Sequence, residues 1–192
     1  MSIKISVIGK SGVGKSTFSE LAQKFFEEKG CCTEIIKLSE PLYTLQHQFY
    51  EFSDCDITGK SFQDQILMEN IANILRGLNP YSLVSHFSKR MNRIDCEVII
   101  NDDLRDPYID GKYFLDNQFS IIRIEADESI RLSRLKNRND ISRSDKSSEN
   151  INLIPTNFII ENNGDLTMYK QKVHTLLEEI YDINRKRDLQ RN

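Results

Sequence analysis

The sequence predicts an α/β fold: a parallel sheet of roughly five strands, covered on both faces by helices, in one domain over residues 1–192. Three observations predict it. Short β-branched runs alternate with longer segments of helical apolar spacing. A glycine-rich turn joins the first strand to the first helix. The length suits one domain with a sizeable core.

The elements follow in order. Ile3 to Ile8 is apolar, β-branched and bounded by Gly9, as a strand should be. From Lys15 to Lys29, Phe18, Leu21, Ala22, Phe25 and Phe26 recur at helical spacing, and Gly30 supplies a stop. Thr33 to Leu38 reads as a second strand. Residues 40–52 and 61–76 read as helices joined by a polar stretch, 53–60, and a further helix follows Pro80 from Tyr81 to Arg93. Glu97 to Asn101 and Phe119 to Glu125 are the third and fourth strands. Residues 127–138 form an arginine-rich helix, and the polar run 137–152 reads as a mobile loop. Asn157 to Glu161 is the fifth strand, and Leu166 to Arg185 is a closing amphipathic helix. Its cationic end, Arg185-Lys186-Arg187, suits the negative helix pole. In such sheets ligands bind at the carboxyl ends of the strands.

Composition narrows the function. The net charge of −3 gives no field to hold nucleic acid or an anionic membrane, so neither is an expected partner. No apolar run approaches the roughly 18 residues of a membrane span, and the N-terminus has no signal-peptide pattern, so a cytoplasmic protein is expected. Cys31, Cys32, Cys55 and Cys96 form no CxxC pair, and His47, His86 and His174 do not sit at zinc spacing beside them. Reduced thiols packed as small apolar residues are expected. A homodimer is compatible with this composition.

The strongest signal is Gly9-Lys10-Ser11-Gly12-Val13-Gly14-Lys15-Ser16, a GxxxxGK[ST] match between a strand and a helix. Glycines let successive N–H groups turn inward around phosphate oxygens, and the helix start adds its positive pole. Ser11, Gly12, Val13, Gly14, Lys15, Ser16 and Thr17 are therefore expected to hold ATP, with Lys15 on the β- and γ-phosphates and the Ser16 hydroxyl on Mg²⁺. The third strand ends in Asp102-Asp103, and a carboxylate there suits the metal side of the site, with Asp103 preferred. No NKxD segment selects guanine, and the chain has no room for the extra domain of an AAA machine. Arg131, Arg134 and Arg138 share one helical face, and Asp127 is placed to pair with Arg131 alone. A stacked arginine face suits phosphates in transfer, and the polar segment after it suits a lid that excludes water.

With these motifs the sequence resembles the small P-loop nucleotide kinases, most closely the deoxynucleoside monophosphate kinase type. The resemblance rests on Leu38-Ser39-Glu40-Pro41-Leu42, on Gln65 through Arg76 to Pro80, on Asp103-Leu104-Arg105 as a D-x-R signature, and on Asp145-Lys146-Ser147-Ser148-Glu149. Ile160-Glu161-Asn162-Asn163-Gly164 is similar to the same region of dephospho-CoA kinases. Lys146 stands where the related pattern often has His, and Tyr81-Ser82-Leu83-Val84 where it often has tryptophan.

The resemblance implies a P-loop NTPase three-layer sandwich with strand order 2-3-1-4-5 and a lid over about 127–152. It implies MgATP as donor and a small monophosphate as acceptor, held by a helical insertion over about 40–93. Arg76 and Arg105 would grip the acceptor phosphate, since a planar fork suits it. Lys15, Asp103, Arg105, Arg131 and Arg134 would serve the transfer, with Ser16 and Asp103 at the metal. Arg138 would assist, Ser39 and Gln65 would touch the acceptor, and Asn162, Asn163 and Gly164 would line the adenine pocket. A kinase of a non-nucleotide or cofactor phosphate, of the dephospho-CoA or phosphomevalonate kind, and a non-catalytic ATP switch remain alternatives.

Overall fold

A computed structural model describes residues 2–55, 61–138 and 140–190. Its main sheet contains β1 (Ile3–Ile8), β2 (Thr33–Ile35), β4 (Val98–Asn101), β5 (Ser120–Glu125) and β7 (Phe158–Glu161), in the order β2-β4-β1-β5-β7. Every neighbouring pair is parallel, with Ile5 opposite both Ile100 and Ser120. Counted within this sheet alone, the order is 2-3-1-4-5, as the resemblance implies.

The strand pleat assigns the two faces. Ile3, Ile5, Val7, Val98, Ile100, Ile122 and Ile124 point to one side. There they meet Phe18, Ala22, Phe25 and Phe26 of α1 (Lys15–Glu28) and Val173, Leu177 and Ile180 of α7 (Leu166–Leu189). Ile8, Ile99 and Ile121 point to the other side. That face is covered by α2 (Glu40–Phe52), α3 (Gln65–Leu78), α4 (Ser82–Met91) and α5 (Asp110–Asp116), through Leu42, Met68, Ile71, Val84, Phe87 and Phe114. Strands buried on both faces read as unbroken apolar runs, which is why they stood out in the sequence. Among the described residues no helix is long and apolar enough to cross a membrane.

Three expectations need correction. The run 61–76 is not one helix: Ser61–Asp64 is strand β3, and Asp64 then caps α3 by accepting from the Leu67 amide at 3.1 Å. Within the polar run 137–152, strand β6 (Asp140–Ser142) follows α6 (Glu128–Lys136) and pairs in parallel with β3; two short 3-10 turns come next. The segment is therefore tied to the insertion rather than loose. The polar stretch 53–60 lies largely outside the described residues.

The third correction concerns the thiols. Cys31 is buried and free and Cys55 is exposed and free, but Cys32 and Cys96 are bonded, with Cα atoms 4.9 Å apart. Spacing along the chain could not reveal this. The β2–β4 register sets Thr33 opposite Val98, so residues 64 apart become neighbours where both strands begin.

Candidate active site

The P-loop connects β1 to α1 and has the backbone its glycines allow. Gly12 has φ 86° and Gly14 φ 109°, both in the region that glycine alone enters freely. Space demands glycine too. A Cβ on Gly12 would lie 3.0 Å from the Arg131 carbonyl oxygen, and one on Gly14 2.6 Å from Asn162 Nδ2. Val13 is buried in the core beneath the loop. Lys15 Nζ donates to the carbonyls of Gly9 (2.8 Å) and Lys10 (3.0 Å). Burial, with Arg105 adding to it, pulls the Lys15 ammonium down to about 7, against the opposing pull of Asp102 and Asp103. The loop's hollow thus holds a poised cation.

One cleft of about 1100 Å³ runs from this loop to the helical insertion. Ser11, Gly12, Gly14, Lys15, Ser16 and Thr17 line one end. Gln65, Arg76, Asp106 and Asp110 line the other, with Ser39, Asp102, Asp103 and Arg105 between them. The segment expected to form a lid contributes Arg134, Arg138, Arg143, Asp145 and Ser147.

The two strand-end carboxylates have different duties. Asp103 accepts from the Leu38 amide (2.9 Å), the Ser39 amide (2.8 Å), the Ser39 hydroxyl (2.5 Å) and Asn101 Nδ2 (2.6 Å). Its lone pairs fasten the turn into α2, and Ser39, expected at the acceptor, is that turn's anchor. Asp102 is 4% exposed, and its Oδ1 has no hydrogen-bond partner, although Lys37 Nζ stands 3.4 Å away. The Asp103 oxygens expected at the metal are thus engaged within the protein, while one Asp102 oxygen has no hydrogen bond. Among the described residues no group of three or more His, Cys, Asp or Glu forms a metal cage. Mg²⁺ needs none, since it keeps several waters and takes one or two carboxylates beside phosphate oxygens. Ser16 and Asp102 fit that requirement.

The arginines also divide. Arg131 donates to Glu128 from Nε (2.9 Å) and Nη2 (2.5 Å), to Asp145 from Nη1 (3.3 Å) and Nη2 (2.8 Å), and to the Ser11 carbonyl from Nη1 (3.1 Å). It is 2% exposed and is not among the residues that line the cleft. Its helical partner is Glu128 at i−3 rather than Asp127, a pair that spacing alone could have suggested. Arg134 lines the cleft and holds Asn162 through Nη2 (3.1 Å to the carbonyl), leaving Nη1 without a partner. Arg138 bonds Gln63 (2.6 Å) and Asp140 (3.2 Å).

On the insertion side, Arg76 Nη2 donates to Asp110 at 2.5 Å, while Nε stays unpartnered. Burial pushes the Asp110 carboxyl above its ordinary value, although Arg76 pulls the other way. Asp110 was not foreseen, because nothing in the sequence around Pro107 announces a buried acid. Arg105 donates from Nη1 to Ser147 Oγ of the lid. Gln65 is buried: its Oε1 accepts from the Ser144 amide at 3.3 Å and its Nε2 is unpartnered.

The residues expected at adenine behave as braces. Asn162 Nδ2 donates to the Val13 carbonyl at 2.8 Å, Asn163 ties to Asp127 in both directions, and Gly164 packs beside Met168. None of the three is among the residues that line the cleft.

A family model described as an AAA domain matches residues 5–154. The chain belongs to this AAA-domain family. The match runs from β1 through the lid and stops before β7 and α7. No curated protein matches the sequence. Among solved structures, a gluconokinase from Sinorhizobium meliloti 1021 aligns with TM-score 0.51 at 12% identity, covering 96% of this chain and 97% of that one. The protein APE1195 aligns with TM-score 0.50 at 14% identity, covering 93% and 96%. A shikimate kinase from Bacteroides thetaiotaomicron gives TM-score 0.49 at 14% identity, covering 94% and 98%. At such identities the likeness is one of fold.

Proposed function

We propose that this protein is a kinase that moves the γ-phosphoryl group of MgATP to a small anionic acceptor, a (deoxy)nucleoside monophosphate being the first candidate. One observation carries the reading. A P-loop with Lys15 and Ser16 opens one end of a continuous cleft, and Arg76 and Arg105 line it farther along. Two anions brought together there meet cations on both sides, and positioning plus charge screening is most of what phosphoryl transfer asks of a protein.

The residues divide the work. Backbone amides of residues 11–17 cradle the donor phosphates, and Lys15 meets their outer oxygens. Ser16 and Asp102 would hold Mg²⁺, which would supply positive charge to neutralise the phosphates. Asp103 keeps Leu38 and Ser39 in place beside the acceptor. Arg134, with Nη1 unpartnered, screens charge developing on the transferred group. Arg76 and Arg105 bind the acceptor's anionic group, and the Gln65 amide donates to a polar atom of its body. Arg138 closes the lid side. The lid excludes water, so that the acceptor rather than water receives the phosphoryl group.

A second reading has its own support. Arg76 is half committed to Asp110, and Gln65, Glu69, Asn70 and Asn73 line the same wall. Such a wall suits a hydroxyl-rich acid as well as a nucleotide, and a gluconokinase shares the fold. Calorimetric titration with MgATP tests the donor half. Micromolar to millimolar binding that disappears in Lys15→Ala is expected, and undiminished binding in that variant would sink the assignment.

A further inference from the structure

We propose that Arg131 is a positioning residue that sets the phosphate cradle and fastens it to the lid, resting on the reading of the P-loop as the nucleotide site. Guanidinium has five N–H donors, and all five are used within the protein. None is left for a phosphate. The bond to Ser11 matters most. A trans peptide points its C=O and the following N–H in opposite directions. With the Ser11 carbonyl held by Arg131 Nη1 at 3.1 Å, the Gly12 N–H faces away from the guanidinium. That orientation offers the Gly12 amide to a phosphate in the cradle.

The rest of the side chain explains why the arrangement is rigid. The Arg131 Cγ would lie 3.1 Å from a Cβ on Gly12, so helix and loop touch with no room between them. Glu128 fixes the guanidinium plane through two bonds, and its carboxyl is held below the usual range by that contact. Asp145, just beyond β6, takes the remaining two bonds. One side chain therefore joins α6, the P-loop and the lid. Arg134, three residues on, is the α6 arginine that lines the cleft.

The test compares the wild-type protein with Arg131→Lys, Asp145→Asn and Ile180→Ala. Ile180 is a buried α7 residue and serves as a control for general loss of stability. Two quantities are read: amide hydrogen exchange in the ligand-free protein, and MgATP affinity. In Arg131→Lys, exchange at residues 10–14 and 140–148 should rise together by tenfold or more, and ATP should bind at least tenfold more weakly. Asp145→Asn should free the lid segment more than the P-loop. Ile180→Ala should lower Tm without singling out either segment. Unchanged exchange at residues 10–14 in Arg131→Lys overturns the proposal, as does an equal change in Ile180→Ala. Failure of the wild type to bind ATP, with the exchange pattern as expected, removes the nucleotide reading and leaves the positioning role standing.

Discussion

The two ends of the cleft are built differently. The P-loop itself is one contiguous stretch whose groups are largely paired within the protein: Lys15 with Gly9 and Lys10, Ser11 with Arg131, Val13 with Asn162. The unpartnered atoms on that side, Asp102 Oδ1 and Arg134 Nη1, come from other elements. The insertion end draws on scattered elements and leaves polar atoms without partners, among them Gln65 Nε2, Arg76 Nε and Asp110 Oδ1. A buried polar atom without a partner costs roughly 1–3 kcal/mol. A common donor can be met by a fixed local cradle. A particular acceptor is better met by groups that complete their bonds only when it arrives, which is the reason the proposal places specificity at the insertion end.

The largest expected effect breaks the donor end. Lys15→Ala should lower turnover on the order of 10²–10³-fold, as loss of a preorganised charge does, with Tm nearly unchanged. Next comes the contrast within one helix. Arg134→Ala should reduce kcat on the order of 10²-fold with little change in ATP affinity, whereas Arg131→Lys should act mainly on ATP affinity. Equal kinetic profiles for the two would erase the distinction between them.

The insertion end gives a smaller and separable effect. Arg76→Ala should raise the acceptor KM by roughly 10–100-fold, the worth of a charged hydrogen bond. ATP binding should be unaffected. A change in ATP affinity alone would show that Arg76 belongs to the other end.

The pH dependence sharpens the comparison further. The free Lys15 ammonium stands at about 7, and phosphate oxygens beside it would favour its charged form. Below pH 7 both free and bound states are charged, so affinity is flat with respect to this group. Above pH 7 the free state must take up a proton, and ATP affinity should fall by up to about tenfold per unit. Calorimetry at pH 8 in buffers of different ionisation enthalpy should reveal proton uptake approaching one per ATP. No uptake would mean that Lys15 is already charged.

How far the sequence carried this comparison follows from where each residue's partners lie. Strands buried on both faces and the eight-residue P-loop are local patterns, so both were legible. The α2 limits, 40 and 52, match, and Pro41 in its first turn marks the start of that helix. Strand β3 was hidden because its partner β6 lies about eighty residues away, and a four-residue strand has little periodicity of its own. The fastening of Asp103 to Leu38 and Ser39, the Cys32–Cys96 bond and the Asp110–Arg76 pair are likewise tertiary facts. Charge spacing singled out Arg131 and Arg134 on α6 but could not say which one turns inward.

The smallest effect tests the scaffold apart from the site. Asp165 caps α7 by accepting from the Met168 amide at 2.8 Å. Asp165→Ala should cost about 1 kcal/mol in denaturant unfolding. Kinetics should be unchanged, and a larger kinetic than stability effect would place the α7 start closer to the site than this account does.

The most direct test is the initial rate of ADP formation from MgATP, with and without each ribo- and deoxynucleoside monophosphate and a set of small hydroxy acids. Stimulation well above the water background by one or a few acceptors, lost in Lys15→Ala, is the predicted result. ADP formation that stays at the water rate with every acceptor, although ATP binds, would contradict phosphoryl transfer to a small acceptor and favour a nucleotide-dependent switch.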